Sequence, residues 1–495
     1  MKRKDLIPIA LIFILFLAYP TIDRKIMTKI FPPKAKPVPA AAAESAEAPS
    51  IPADTALAAP EAADRPSEEA AAPLAAAEAA AEEEKAPEVL ATLANDRVEL
   101  TLSSHGAGVV RAAILDYPSF KGSDVPVAFD FSDRPAAAPI GYPGLEPRAA
   151  FEVVASTADS VAYRKTLPGG LALTRTLTLG TNYQVQIEDK IENASSAPVA
   201  LRAYGLQAGF MANLPGEKDE QTPLLGVDTL TGSEAVQYWG AKFDKWFPIE
   251  GEGKPQTLPG PEETPIHADW VAVKNKYFTQ ILTPENGADR CLVEATRGAP
   301  VRSSFMGIFP RTSVPIGRVA AALLLPDYDL APGQSLVQNA TFYVGPKVYT
   351  ELKANGPHQE DVLQLGFWRV VGIWILKVMV WIQAHVWPYN YGVAIILLTF
   401  LIRIIFWPLN HKSMVSTRHM QEIQPLIAAV KEKYKGDAQK QQQEMMALYK
   451  EHKINPMGGC LPMLIQIPVF FALFVVLRGA IELRFSSFLW ISDLS

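Results

Sequence analysis

The stretch Tyr391–Leu409 reads Tyr-Gly-Val-Ala-Ile-Ile-Leu-Leu-Thr-Phe-Leu-Ile-Arg-Ile-Ile-Phe-Trp-Pro-Leu. It is apolar, long enough to cross a bilayer, and holds one charge, Arg403. At about 1.5 Å rise per residue, Arg403 lies roughly 18 Å from Tyr391 and under about 10 Å from the other end. An arginine at that depth costs about 2.5–3.5 kcal/mol on insertion scales. The cost falls when the side chain faces water, a partner or a protein interior. Two plainer readings stay open: the long stem snorkels to the headgroups, or the charge stops transfer of a shorter helix. Ile404, Ile405, Phe406, Trp407 and Pro408 follow it, so it is not a simple flanking charge.

A chain of 495 residues implies several domains, and its net charge of −6 is unevenly placed. Met1–Asp5 carries Lys2, Arg3 and Lys4 ahead of the apolar run Leu6–Pro20, with no clear small-residue cleavage site. This pattern reads as an uncleaved signal anchor with a cytoplasmic N-terminus; a cleaved signal is the alternative. Pro32–Pro87 is rich in Ala, Pro and Glu and lacks aromatics. It cannot bury enough apolar surface to offset ordering entropy and reads as a disordered tether.

From about Val89 to Tyr349 the period shifts to two. Arg97–Leu102, Ala150–Ala155, Ser160–Lys165, Leu171–Leu179 and Tyr183–Ile191 alternate, with turn signals at Pro168-Gly169-Gly170 and Gly180-Thr181-Asn182. Trp270–Val273, Phe278–Leu282, Cys291–Ala295, Arg318–Leu325 and Ala340–Val344 are also strand-like. Many short strands predict one exported antiparallel β-sandwich domain. His105 and His267 stand alone, with no HExxH, GxSxG or P-loop, which argues against an enzyme. Glu217, Asp219, Glu220, Glu262 and Glu263 lie in loop-like sequence and read as solvated. Tyr238, Trp239, Trp246 and Trp270 offer a sugar-binding face or, more commonly, core packing. Cys291 and Cys460 form no metal-type spacing and are not expected to bridge.

Leu363–Val386 is apolar but carries Arg369, Lys377 and Gln383 within about a third of a helix circumference. It predicts an amphipathic helix on the outer membrane face. The loop after Leu409 is rich in Lys and Arg, so it belongs in the cytoplasm, and Tyr391–Leu409 then runs from outside to inside. His411–Asn455 reads as a basic αα-hairpin, its helices parted by Gly436-Asp437. It is either a solvated loop or a docking arm whose methionines suit adaptable surfaces. Gly458–Leu483 runs back out, interrupted by Pro462 and Pro468. Gln466 is its one clearly polar residue at depth, level with Arg403, while Thr399 lies one turn from Arg403. These three predict a polar recess open to the cytoplasm; an ordinary interhelical hydrogen bond is the plainer alternative.

Leu397–Leu409, Gln441–Tyr449 (QQQEMMALY) and Asn455–Phe474 (NPMGGCLPMLIQIPVFFALF) closely resemble the YidC family of membrane insertases. The anchor, tether and large exported domain look like its Gram-negative form. The resemblance implies a periplasmic β-supersandwich and an α-helical transmembrane insertase core of five helices. Its groove opens to the cytoplasm and lipid. Arg403 matches the family's groove arginine, and Thr399 and Gln466 look similar to groove-facing positions. The implied activity is insertion and folding of inner-membrane proteins, alone or with the Sec translocon, without covalent chemistry, cofactor or metal. The implied partners are nascent membrane proteins, the translocon and the lipid bilayer, with the ribosome as a further candidate; no nucleic-acid site is evident.

The expected organisation is an anchor helix over residues 1–24, a linker over 25–90 and a periplasmic domain over 91–350. An interfacial helix over 363–387, a span over 388–410, a cytoplasmic hairpin over 411–456, a second span over 457–484 and a periplasmic-side segment over 485–495 follow. Family members continue with three more spans and often a basic tail linked to ribosome contact, so a fragment or an incomplete core is expected. The rival from another class is a membrane-anchored periplasmic protein that binds carbohydrate or peptide.

Overall fold

The computed structural model describes residues 87–215, 224–232, 235–248, 256–258, 268–305, 309–452 and 461–495. The anchor of residues 1–24, most of the linker, His267, Cys460 and the acidic clusters at 217–220 and 262–263 lie outside them.

The N-terminal half is built on a nine-stranded antiparallel sheet. Its order is Ala235–Tyr238, Gly226–Thr231, Ala268–Lys274, Phe278–Pro284, Ser335–Pro346, Gln184–Asn193, Leu171–Leu179, Ser160–Leu167 and Glu152–Ser156. The alternating stretches form its Glu152–Asn193 half for a local reason. Val185, Ile187 and Ile191 are buried while Gln186, Glu188 and Lys190 are not, the signature of a strand covered on one face. Pro168-Gly169-Gly170 closes one hairpin with both glycines at positive φ, where a side chain would be strained. Across the second turn, Asn95 donates from Nδ2 to the Gly180 and Asn182 carbonyls, both at 2.8 Å.

A five-stranded sheet, ordered Gln256–Leu258, Arg290–Arg297, Ile316–Leu324, Gly205–Ala212 and Pro139–Ile140, packs on the nine-stranded one. A four-stranded meander, Leu90–Ala94, Val98–Ser103, Gly108–Pro118 and Pro126–Asp130, joins the same hydrophobic core. Gly205–Ala212, Gly226–Thr231 and Gly108–Pro118 show no alternation in sequence. Gly205–Ala212 and Gly226–Thr231 are buried along nearly their whole length, so both faces are covered, Gln207, Asp228 and Thr229 included, and the period of two disappears. Gly209 marks a bulge against Ile316–Leu324 at φ +89°; a Cβ there would meet Gln280 Oε1 at 2.6 Å.

Polar residues also occupy the buried face. Tyr163, Arg175, Asp189 and Gln338 stand opposite one another in a row across four adjacent strands. Arg175 pairs with Asp189 at 3.2 Å, both side chains 0% exposed, and reaches the Ala137 carbonyl; Tyr204 donates to Asp189 at 2.7 Å. Burial raises the Asp189 carboxyl above its usual range, with the Arg175 charge pulling it back. Asp228 and Lys274 form a second sealed pair. Burial also raises the Cys291 thiol to about 12.

The exit from the β-domain is fixed to it. The helix α1 (Tyr349–Asn355) and the turn Gln359–Leu363 lead out. Arg97 pairs with Glu351 at 2.8 Å, Trp270 Nε1 donates to the Pro357 carbonyl at 3.0 Å, and Lys274 Nζ donates to the Val362 carbonyl at 3.0 Å. Beyond them come α2 (Arg369–His385), α3 (Tyr391–Glu422), α4 (Gln424–Lys433), α5 (Ala438–Glu451) and α6 (Leu461–Gly479). Gly366–His385 and Tyr391–Glu422 are long and apolar enough to cross a membrane.

Candidate functional site

Helix α3 begins on an Asn390 cap, whose side chain accepts from the Gly392 N–H at 2.8 Å. It continues through Pro408 for 32 residues, about 48 Å by helix rise, well beyond a hydrocarbon core of about 30 Å. The apolar stretch and the first basic residues of the hairpin therefore share one rod. It breaks only at Ile423, where Pro425 sits in the first turn of α4.

The helices α2, α3 and α6 share a hydrophobic core. Ile375, Leu376, Met379 and Ile382 of α2 join Ala394 and Leu398 of α3 and Ala472, Val476 and Ala480 at the end of α6. Small residues let the backbones approach: a Cβ on Gly372 would touch Val476 at 3.4 Å. This core fills only one end of the bundle. Leu398 is the last buried residue of α3, and α6 has none from Met463 to Phe471.

The three residues singled out in sequence lie at or beyond the edge of that core. Thr399 is half-buried and its hydroxyl donates back to the Ile396 carbonyl at 2.8 Å. Arg403, one turn on, is exposed and enters no ion pair or hydrogen bond among the described residues. Gln466 is exposed on α6. By helix rise, Arg403 is about 18 Å from the start of α3 and Gln466 about 20 Å from the end of α6, so the two sit at matching depth. No hydrogen bond joins Gln466 to Thr399 or Arg403 among the described residues.

One further polar contribution needs the helix boundaries to be seen. Pro408 lies inside α3 and Pro468 inside α6. Each lacks the N–H that would bond the carbonyl four residues earlier. Those carbonyls belong to Ile404 and Leu464, the near neighbours of Arg403 and Gln466. The unpacked end of the bundle thus combines a guanidinium, an amide and two backbone acceptors released from the helix ladder.

Helix α2 differs from the simple polar-face picture. Arg369 is tied to Glu360 at 2.8 Å and to Asp361 at 2.7 Å, Lys377 lies 5.1 Å over the Tyr349 ring, and Gln383 donates to the Tyr389 carbonyl at 3.2 Å. Its exposed stripe is Val370, Trp374 and Trp381, continued by Phe367 in the turn just before it. The hairpin is formed by α4 and α5, with Gly436 at φ +127° in the turn and Asp437 capping α5 through the Lys440 N–H at 3.0 Å. Neither helix buries a residue among those described, and Leu426 and Met446 are exposed.

Residues 90–382 match the family description "YidC periplasmic domain" and residues 381–495 match "60Kd inner membrane protein". The first match alone spans more than half of the chain. The chain belongs to the YidC family. This makes it a membrane-inserted protein with a periplasmic domain, in a family of insertases that work on nascent membrane proteins in the bilayer without covalent chemistry. The two matches meet inside the last turns of α2, at the junction of the β-domain's exit and the helical core.

The β-domain is also similar to solved sugar-enzyme structures. These include a galactose mutarotase related enzyme from Lactobacillus acidophilus, at 11% identity over 52% of this chain and 97% of that one, with a TM-score of 0.36. A GalM/aldose epimerase homologue from C. elegans aligns at 13% identity over 52% and 99%, with a TM-score of 0.32. A galactose mutarotase-like protein from Lactobacillus casei ATCC 334 aligns at 10% over 52% and 100%, with a TM-score of 0.31. At such scores nothing of their activity carries over to this chain.

Proposed function

We propose that this YidC-family chain inserts and helps fold proteins of a Gram-negative inner membrane, alone or with the Sec translocon, through a hydrated groove around Arg403, Thr399 and Gln466. In this reading α3 runs from the periplasmic to the cytoplasmic side, α6 returns, and the α4–α5 hairpin is cytoplasmic. Helix α2 lies at the periplasmic interface with its aromatic stripe toward lipid. The observation that carries the proposal is Arg403: a charge on an apolar helix, exposed and without a partner among the described residues, just beyond the last buried residue of that helix.

The mechanism follows from solvation. Water held between the open ends of α3 and α6 shortens the apolar path that an exported polar segment must cross. Arg403 attracts acidic groups of that segment and donates charge-assisted hydrogen bonds to them. The segment's apolar helix then partitions into lipid along α6, and hydrocarbon burial drives the step. Replacing Arg403 by Ala and by Lys, and assaying insertion of a substrate with an acidic exported tail, tests the idea. Arg403→Ala is expected to insert it poorly and Arg403→Lys to retain much of the activity. Full activity of the Ala variant would remove electrostatic capture from the mechanism.

The periplasmic-binder reading gains no site from the sealed polar row of the β-domain. Tyr163, Arg175 and Asp189 are fully buried and Gln338 nearly so, between the sheets. That reading predicts loss of function when most of residues 95–349 are deleted, whereas the insertase reading predicts that much of this region is dispensable.

A further inference from the structure

Two turns meet where the β-domain touches the end of the helical bundle. One is the tip between Gly108–Pro118 and Pro126–Asp130, closed by Ser119 N donating to the Val125 carbonyl at 2.8 Å. The other is the tight turn Phe488–Ile491, whose end residues exchange two backbone hydrogen bonds of 2.9 Å. Arg484 joins them, donating to the Pro118 carbonyl at 2.7 Å and the Ser119 carbonyl at 3.1 Å, and Lys121 donates to the Ser492 carbonyl.

The second turn is fixed to the start of α3. Asn390 Nδ2 donates to the Ser487 carbonyl at 2.8 Å, and Gly392 packs so closely on Phe488 that a Cβ would meet its ring at 2.2 Å. Both tips present apolar side chains outward. Phe120 is 62% exposed on the first and Trp490 85% on the second, with Val125 and Leu489 beside them. Large apolar groups at the apex of two turns, with a lysine alongside, fit the boundary between headgroups and acyl chains.

We infer that the Phe120 turn is a membrane contact of the periplasmic domain, seated with Trp490 in the phospholipid interface at the outer end of α3 and α6. The inference rests on the reading of α3 and α6 as spans. It places the turn at the right height: Tyr391 starts α3, Gly479 ends α6, and Arg484 follows only five residues later. The interfacial layer is roughly 5–8 Å thick on each side of the hydrocarbon, enough to take the apex of a turn held at the end of a span. The domain then meets the bilayer through its own strand connection as well as through its exit at α2.

The test uses the full chain with Cys460→Ser, in vesicles of phosphatidylethanolamine and phosphatidylglycerol; Cys291 is buried and takes no label. Nitroxides are placed singly at Phe120→Cys, Trp490→Cys and Leu401→Cys, the last on the face of α3 opposite Thr399 and Arg403, and their collision rates with oxygen and with a water-soluble nickel chelate give depth. The expected result is an interfacial ratio for Phe120 that matches Trp490, with Leu401 deep in hydrocarbon. A Phe120 label with the ratio of free nitroxide in buffer, while Leu401 stays deep, overturns the contact and leaves the topology intact. A Leu401 label in water overturns both.

Discussion

The nine-stranded sheet and the helix α3 each carry an arginine among apolar side chains, and they treat it differently. Arg175 is fully buried and spends its donors on Asp189 and the Ala137 carbonyl. Arg403 is exposed, with no partner among the described residues. A buried ion costs several kcal/mol unless partners compensate it, so Arg175 is a structural element whose neighbours were fixed by folding. Arg403 has no compensating partner among the described residues, which on the proposed reading leaves water, a lipid headgroup or substrate to solvate it. The sealed charge belongs to a packed core, and under the proposed function the open charge is the one that meets substrate.

The largest expected effect breaks the sealed side of this contrast. Arg175→Met leaves Asp189 buried and unpaired, and denaturation should show a loss of about 3–5 kcal/mol. Arg175→Met with Asp189→Leu should recover most of it. An unaffected single variant would contradict the sealed pair. On the open side, Arg403→Ala should reduce insertion of an acidic substrate by about tenfold or more, the equivalent of a charge-assisted hydrogen bond of about 1.5–3 kcal/mol. Its stability should change by no more than about 0.5 kcal/mol.

The two regions should also answer alkali and thiol reagents differently. Burial raises the Cys291 thiol to about 12, above an unfolded value of about 8.5. Its neutral form is therefore favoured by the fold. The contribution is complete below about pH 8.5 and is lost as pH rises toward 12, at up to about 1.4 kcal/mol per pH unit. Cys291→Ala should flatten that part of the pH–stability curve, and Cys291 should resist maleimide in the folded protein. A cysteine at position 403 should label readily from the cytoplasmic side, and an unreactive one would close the groove. The smallest effect belongs to Thr399→Val. Its hydroxyl already donates to Ile396, so stability should shift by about 0.5 kcal/mol or less, with a modest change in insertion.

Alternation and turn chemistry made Ser160–Leu167, Leu171–Leu179 and Gln184–Asn193 readable, because a strand covered on one face writes its environment at period two. The apolar run around Arg403 and the Gly436 turn were equally plain, since hydrophobic length and glycine conformation are local properties. Gly205–Ala212 and Gly226–Thr231 were not readable, because burial on both faces erases the period. Nor was the placement of Arg369 and Lys377, whose partners Glu360, Asp361 and Tyr349 depend on how the exit segment folds back on α2.

The sequence by itself determined a β-rich domain, an apolar helix with one charge and a basic helical segment after it, all of which follow from side-chain periodicity and solvation. Only the tertiary structure decided that α3 passes unbroken through Pro408, that the bundle core stops at Leu398, and that Arg484 holds a strand connection of the β-domain. These depend on which surfaces meet across hundreds of residues, and a contact free energy between distant segments leaves no period in either of them.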